Sequence, residues 1–259
     1  MINMNLRDFF SALCDNKPCG SGDDFFNLND DVSCRYESTD IEFVTSYFSN
    51  GFNRCLLDAS MNVFFNISFN AFDILLHAWL SELPVEKEIL SFGGKIFDAC
   101  RNLPNQEDKQ RTANRIITDR TDSDTRIVLN AAGKTGHEVH RMMGLLRFSP
   151  DQKGVFSAEC EPDHFILPCL GMYFTSRFGK SAWSVTDKKR SLSLSRTPGK
   201  KAKISILHAK TFSCEENKTD DWEELWKHYH KTINNEDRNN PGLQRQLMPK
   251  RYWKYLPEK

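Results

Sequence analysis

Apolar positions recur at three- and four-residue intervals through Ala71-Phe72-Asp73-Ile74-Leu75-Leu76-His77-Ala78-Trp79-Leu80, a spacing that predicts a helix with one buried face. Ser81 and Glu82 lead to Pro84, which ends or restarts that helix because proline has no N–H to continue it. A second amphipathic helix is predicted over Glu86–Cys100, where Ile89, Phe92, Ile96 and Phe97 share a face. Helices continue across the charged stretch 108–124 into 127–146, weakened locally by Gly133 and Gly136. From Phe43 to Phe72 the chain is crowded with Phe and Asn in a mixed period that does not separate helix from strand. Residues 14–40, rich in Asp, Asn, Gly and Ser, read as a loop or a poorly ordered arm.

The pattern changes after Pro150. Residues 154–161, Gly-Val-Phe-Ser-Ala-Glu-Cys-Glu, alternate as a strand does, and Pro162-Asp163 is placed to start a helix over 164–178. Segments 182–186 and 192–195 read as a hairpin turning at Asp187-Lys188-Lys189-Arg190, and 202–208 as a further strand. A helix over 220–233, with Trp222 and Trp226 four apart, precedes a basic, aromatic segment from 239 to 259. The expected class is α+β: a helical N-terminal half, then a small antiparallel sheet with packed helices in the C-terminal half.

The 259 residues contain 39% hydrophobic and 12% aromatic side chains, too apolar for general disorder and too polar for a membrane protein. No run approaches the roughly 18 apolar residues of a membrane-spanning helix, and the first residues lack the basic start and apolar core of a signal peptide. The expectation is a cytoplasmic protein with no membrane partner. Thirty-five basic residues balance thirty-five acidic ones, but unevenly. Residues 1–60 hold ten acids and four bases, whereas 185–259 hold seventeen bases and ten acids. Such an acidic head and basic tail attract different partners or each other, or form an ordinary solvated surface. Of the eight cysteines, Cys14 and Cys19 form a Cys-x4-Cys pair, with Cys34 and Cys55 farther on. That spacing matches neither zinc ribbons nor iron–sulfur motifs, so no metal is expected.

Three groups of residues could carry chemistry. In His137-Glu138-Val139-His140-Arg141 the histidines are three apart, not four as a His-Glu-x-x-His zinc site needs. On a helix Glu138 and Arg141 share a face, and a plain surface ion pair between them is the simpler alternative. Glu159-Cys160-Glu161-Pro162-Asp163-His164 sits at a strand-to-helix junction, where an acid or a bound phosphate meets free backbone N–H groups. Asp163 there is either a helix cap or half of an Asp–His pair that orients a proton donor. The third group is basic and aromatic: Lys188, Lys189, Arg190, Lys200, Lys201 and Lys203, then Arg238, Arg245, Lys250 and Arg251 beside Tyr252, Trp253 and Tyr255. Cations grip phosphates and flat rings stack on unpaired bases, so the interleaving suits single-stranded or distorted nucleic acid. Trp253 could equally pin the tail into the core. There is no phosphate loop, no Gly-x-Gly-x-x-Gly fingerprint, no Gly-x-Ser-x-Gly elbow and no triple-cysteine radical motif, and hence no expected cofactor.

The stretch His137-Glu138-Val139-His140-Arg141-Met142-Met143-Gly144-Leu145-Leu146-Arg147-Phe148 resembles the Glu-x-His-Arg-x-x-Gly-x-x-Arg-Phe motif of a bacterial family of DNA-metabolism proteins built on a domain of unknown function. Glu161-Pro162-Asp163-His164 with Pro168, Phe174 to Arg177-Phe178, and Asp187 with Arg190 occur in the same order as in that family. So does the run Arg238-Asn239-Asn240-Pro241-Gly242-Leu243-Gln244-Arg245-Gln246-Leu247-Met248-Pro249-Lys250-Arg251-Tyr252-Trp253-Lys254-Tyr255-Leu256-Pro257-Glu258, the closest match of all. The resemblance is strongest over 137–259 and extends over 78–136 through Trp79-Leu80-Ser81-Glu82, leaving 1–77 as a variable acidic, Asn- and Phe-rich region.

Members of that family are associated with a radical S-adenosylmethionine partner, and related domains are fused to uracil-DNA glycosylases. The resemblance therefore implies a DNA repair or modification protein that binds damaged or single-stranded DNA and acts with such a partner. The alternative is a free-standing enzyme of glycosylase or nuclease type. Expected catalytic residues are Glu138, His140, Asp163 and His164. Expected nucleic-acid contacts are Arg141, Arg147, Arg177, Lys188, Lys189, Arg190, Arg238, Arg245, Lys250, Arg251 and Trp253.

Overall fold

The computed structural model describes residues 5–15, 38–49, 52, 54–151, 154–207, 221–235 and 240–256. Arg238, Cys19, Cys34, Cys214 and most of the arm expected at 14–40 lie outside the described residues. The chain divides into two compact units, Met1–Glu138 with Asp163–Ile166, and Val139–Pro162 with Leu167–Lys259.

The first unit is helical: α1 (Leu6–Asp15), α2 (Ser38–Tyr47), a 3-10 turn (Arg54–Leu56), α3 (Ala59–Ile67), α4 (Phe69–Leu80), α5 (Glu86–Cys100), α6 (Gln106–Thr118) and the start of α7 (Ser123–Leu145). Among the described residues, the ambiguous stretch 43–72 is built of the end of α2, the 3-10 turn, α3 and the start of α4, because polar residues punctuate it. Asp58 accepts the Met61 N–H at 2.7 Å and so caps α3. Ser68 closes α3 by donating its N–H to Phe64 and opens α4 by accepting the Ala71 N–H at 3.3 Å. The crowded phenylalanines form the core. Phe10 stacks on Phe72 at 4.9 Å and meets Phe64 edge-on at 5.7 Å, while Phe43 approaches Phe72 at 6.3 Å. Gly93 on α5 lets Leu13 of α1 approach within 2.6 Å of where a Cβ would stand.

The second unit holds a five-stranded sheet in the order β1 (Ser149–Pro150), β2 (Phe156–Cys160), β3 (Trp183–Asp187), β4 (Leu192–Arg196), β5 (Lys203–Ile206). The fold is α+β, with the sheet in the C-terminal half as expected. The sheet is mixed, however: β2 and β3 run parallel, with Phe156 opposite Trp183 and Cys160 opposite Asp187, and the other pairs are antiparallel. The helix α8 (Leu167–Phe178) is the crossover that makes the parallel pairing possible. Its buried Leu170, Gly171 and Phe174 lie over the sheet, with Leu194 and Ala202 within 4.0 Å of the Gly171 Cβ position. The helix begins at Leu167, not at His164, and uses Pro168 in its first turn. Two helices, α9 (Asp221–Ile233) and α10 (Pro241–Leu247), and a 3-10 helix, Lys250–Tyr255, complete the unit.

Candidate functional site

In the first unit, the segment 163–166 that was expected to open a helix is a bend, closed by the Ile166 N–H donating to the His164 carbonyl at 2.9 Å and held by a buried carboxylate. Glu138, 2% exposed, accepts the backbone N–H of Asp163 at 2.9 Å and of His164 at 2.8 Å, one on each oxygen. Phe165 donates its N–H to the Leu80 carbonyl at 3.0 Å. Asp163 is therefore not a helix cap, and Glu138 is buried instead of lying at the surface beside Arg141, with each of its oxygens taking a backbone donor. The buried His164 ring turns Nδ1 to the Ser81 carbonyl oxygen. A carbonyl can only accept, so Nδ1 carries a proton and Nε2 is the ring nitrogen left for proton exchange. Ser81 is itself fixed, its hydroxyl donating to the Ala78 carbonyl at 2.6 Å and accepting the Leu83 N–H.

In the second unit, polar side chains gather at the carboxyl ends of β2 and β3. Strand β3 alternates with Trp183, Val185 and Asp187 on the buried face, which carries the Asp187 carboxylate inside. Its Oδ1 accepts the N–H groups of Lys189 at 2.9 Å and Arg190 at 3.3 Å, and Oδ2 accepts the Arg190 guanidinium at 2.7 Å. Arg190, 4% exposed, also donates to the Pro162 carbonyl at 3.2 Å. Burial pushes the Asp187 carboxyl above its ordinary range, and the charge of Arg190 only partly opposes this. Arg190 thus ties the turn after β3 to the second residue after β2.

Around that buried pair the cations are wetter. Lys188 pairs with Glu159 at 2.5 Å and gives its N–H to the Cys160 carbonyl at 2.9 Å. Lys254, from the closing 3-10 helix, pairs with Glu161 at 2.5 Å. The Lys254 ammonium, then Tyr255, hold the Glu161 carboxyl below its ordinary range. The Tyr255 hydroxyl is buried beside that carboxylate without completing a hydrogen bond to it, and burial, then Glu161, push its pKa up. Lys189, Lys250 and Arg251 are exposed. Sequence reasoning put Glu161 and Tyr255 in two separate groups and missed Lys254, because 93 residues separate Glu161 from Lys254 and no local spacing encodes the pairing.

The other expected contacts are dispersed within the second unit. His140 is exposed and Arg141 half-buried on α7. Arg147 donates to the Gly144 carbonyl at 2.9 Å and lies over the Trp226 ring at 5.8 Å. Arg177 is exposed, 3.4 Å from the Tyr173 hydroxyl, and Arg245 turns back to the Pro241 carbonyl at 3.0 Å. The rings of the closing segment are largely engaged. Tyr252 is 2% exposed beneath Arg251, and Trp253 donates its indole N–H to the Met248 carbonyl at 2.9 Å with Lys250 over its face. Asp163 and His164 belong to the first unit, and Arg147 and Arg190 to the second.

Among the described residues no helix is long and apolar enough to cross a membrane. No curated protein and no solved structure matches the chain. One family model does match, over residues 101–258, which takes in α7, the sheet, the cluster at its carboxyl end and the closing helices. The chain belongs to the DUF4130 family, a domain of unknown function.

Proposed function

We propose that this protein is a cytoplasmic DNA repair or modification factor that grips damaged or single-stranded DNA while a radical S-adenosylmethionine partner supplies the harder chemistry. The observation that carries the reading is the set of exposed cations in the second unit. Lys188, Lys189 and Lys254 surround the carboxyl ends of two parallel strands, and Lys250 and Arg251 lie on the same 3-10 helix as Lys254. Strand ends of this kind are where α/β sheets place their ligands, and Lys and Arg bind phosphate by charge. Glu159 and Glu161 hold two of the lysines in place, and a phosphate arriving there exchanges partners with them. The family resemblance of the ordered motifs supplies the DNA context and the partner.

Fluorescence anisotropy with single-stranded and duplex oligonucleotides over a salt series tests this. Log affinity should fall linearly with log salt, and each lost phosphate contact in Lys189→Ala, Lys250→Ala or Arg251→Ala should flatten the slope by about 0.7 to 0.9. Glu159→Gln with Glu161→Gln frees two lysines and should tighten binding. No binding at low salt, alone or with the partner, overturns the proposal.

One observation favours a second reading, a glycosylase- or nuclease-type enzyme. The Ser81 carbonyl engages Nδ1 of His164 and leaves Nε2 for proton exchange, the exposed Asp163 precedes it in the chain, and Glu138 holds both backbones. His140 and the partner-free mode of action belong to the same reading. Incubation with uracil-containing, deaminated and abasic oligonucleotides should then yield base release or strand cleavage that His164→Ala abolishes. Identical blanks from wild type and variant overturn it.

A further inference from the structure

The nucleic-acid reading requires a place for unpaired bases, and the rings that the sequence offers for it are covered. Tyr252 is buried, and the Trp253 indole is fastened to the Met248 carbonyl. Elsewhere in the same unit, α9 presents two rings to solvent. Trp226 is 38% exposed and Tyr229 51% exposed. They stand three residues apart on one face of the helix, with ring centres 5.8 Å apart and planes 35° from parallel. Arg147 lies 5.8 Å from the centre of the Trp226 ring, supplying a guanidinium that reaches a phosphate or stacks on a base. Lys227, His228 and Lys231, all exposed, lie on the same helix. Of the charged side chains from Glu224 onward on α9, only Glu224 is acidic.

The geometry points to Trp226 and Tyr229 as a stacking platform for unpaired nucleobases, with Arg147 as its phosphate-side clamp. This rests on the nucleic-acid reading and narrows it: the cations at the strand ends hold the backbone of any strand, and α9 selects strands whose bases are free. A base in a duplex has both faces covered by its neighbours, so the platform adds nothing there. Stacking is indifferent to sequence because every base presents a π-face. The platform therefore sorts single-stranded from paired DNA without reading bases. Leu225 and Ile233, also exposed on α9 at 56% and 58%, offer no π-face and contribute little to such a contact.

The test is anisotropy of the full chain with three probes at one salt concentration: a single-stranded oligonucleotide, its duplex, and a single strand of the same length made of abasic sites. Wild type should bind the normal single strand at least roughly tenfold more tightly than the abasic one, the worth of a stacked base or more. Trp226→Ala with Tyr229→Ala should erase that ratio and leave duplex and abasic affinities within about twofold, while Trp226→Phe should retain most of it. Leu225→Ala with Ile233→Ala should change none of the three. All four substituted side chains are solvent-exposed, and an unchanged circular dichroism spectrum verifies the fold. Equal binding of normal and abasic single strands by wild type overturns the platform and leaves the backbone-binding reading standing. Loss of duplex affinity in the ring variants also overturns it. Failure of every probe to bind overturns both.

Discussion

Replacing Arg190 by Met probes whether the centre of the second unit is a structural ion pair. Asp187 is 0% exposed and Arg190 4% exposed, so the substitution strands a carboxylate with no counter-charge in the interior. Breaking a buried pair in this way costs about 3 to 5 kcal/mol. With a urea dependence of about 2 kcal/mol per molar, the midpoint should fall by roughly 1.5 to 2.5 M. Trp183 lies buried two residues from Val185 on the same strand, and its fluorescence reports the transition. Adding Asp187→Asn keeps an oxygen for the N–H groups of Lys189 and Arg190 while removing the charge, and should restore roughly 1 to 3 kcal/mol. The sign with pH comes from the raised carboxyl of Asp187. A carboxyl that is more basic when folded stabilises most below its unfolded value near 3.8 and loses that contribution as pH rises through the folded value. Without Arg190 the folded value rises further, so the deficit of the variant should shrink as the pH is lowered toward the folded value. A cost under about 1 kcal/mol, typical of exposed pairs, would refute the reasoning. If DNA affinity then fell sharply in the same variant, Arg190 would be a phosphate ligand instead.

Glu138→Ala removes the acceptor of one buried and one part-buried N–H group and should cost about 2 to 4 kcal/mol in chemical denaturation, whereas Glu138→Gln, with one carbonyl oxygen, should lose about half of that. His77 sits with Nδ1 at 3.3 Å from the Asp73 carboxylate, which in turn accepts the Tyr47 hydroxyl at 3.0 Å. Burial lowers its pKa, but the hydrogen bond and charge of Asp73 outweigh it, so the net shift is upward. The stabilisation is complete below His77's unfolded value of 6.5 and is lost as pH rises through the folded value. In an NMR titration Asp73→Asn should bring His77 below 6.5, and an unmoved resonance would contradict the pairing. Gly93→Ala drives a methyl against the buried Leu13 and should destabilise by about 1 kcal/mol or more even after the gain in helix propensity. Gly94→Ala meets nothing within 4 Å and should stabilise slightly, as thermal melts of the pair will record.

Local periodicity was enough where each element's own residues decide its state. Helix α5 is bounded by Glu86 and Cys100 as its Ile89, Phe92, Ile96 stripe predicts, and the alternation over 182–186 marks β3, which runs one residue further to Asp187, expected in the turn. The parallel direction of β2 and β3 was not legible, since a period of two is the same whichever way the neighbour runs. The start of α8 was displaced because two prolines, Pro162 and Pro168, offer the same signal. Glu138, fixing 163–166 from 25 residues away, decides between them. The ring residues of the closing segment were chosen by composition, which registers a Tyr or Trp but not which of its faces is covered. The alternation of β3 did contain the burial of Asp187, had its third inward position been read as strictly as the first two.

The convergence of cations is a product of topology. Because β2 and β3 run parallel, their carboxyl ends lie on one side of the sheet. The residues leaving those two ends, Glu161-Pro162 after β2 and Lys188-Lys189-Arg190 after β3, therefore emerge together. In an antiparallel pair the same two short segments would stand a full strand length apart, and Arg190 could not reach the Pro162 carbonyl. The buried pair and that carbonyl lock the turn, and the lock sets where Lys188 and Lys189 project. Glu159 and Glu161 then trade net charge for order: each lowers the field at the strand ends, yet each holds a lysine that would otherwise have to be immobilised when a phosphate binds, at a cost of about 0.5 to 1.5 kcal/mol per side chain. The acids beside the basic turn are thus compatible with the proposed anion site, whose affinity would then depend on how readily a phosphate displaces a carboxylate.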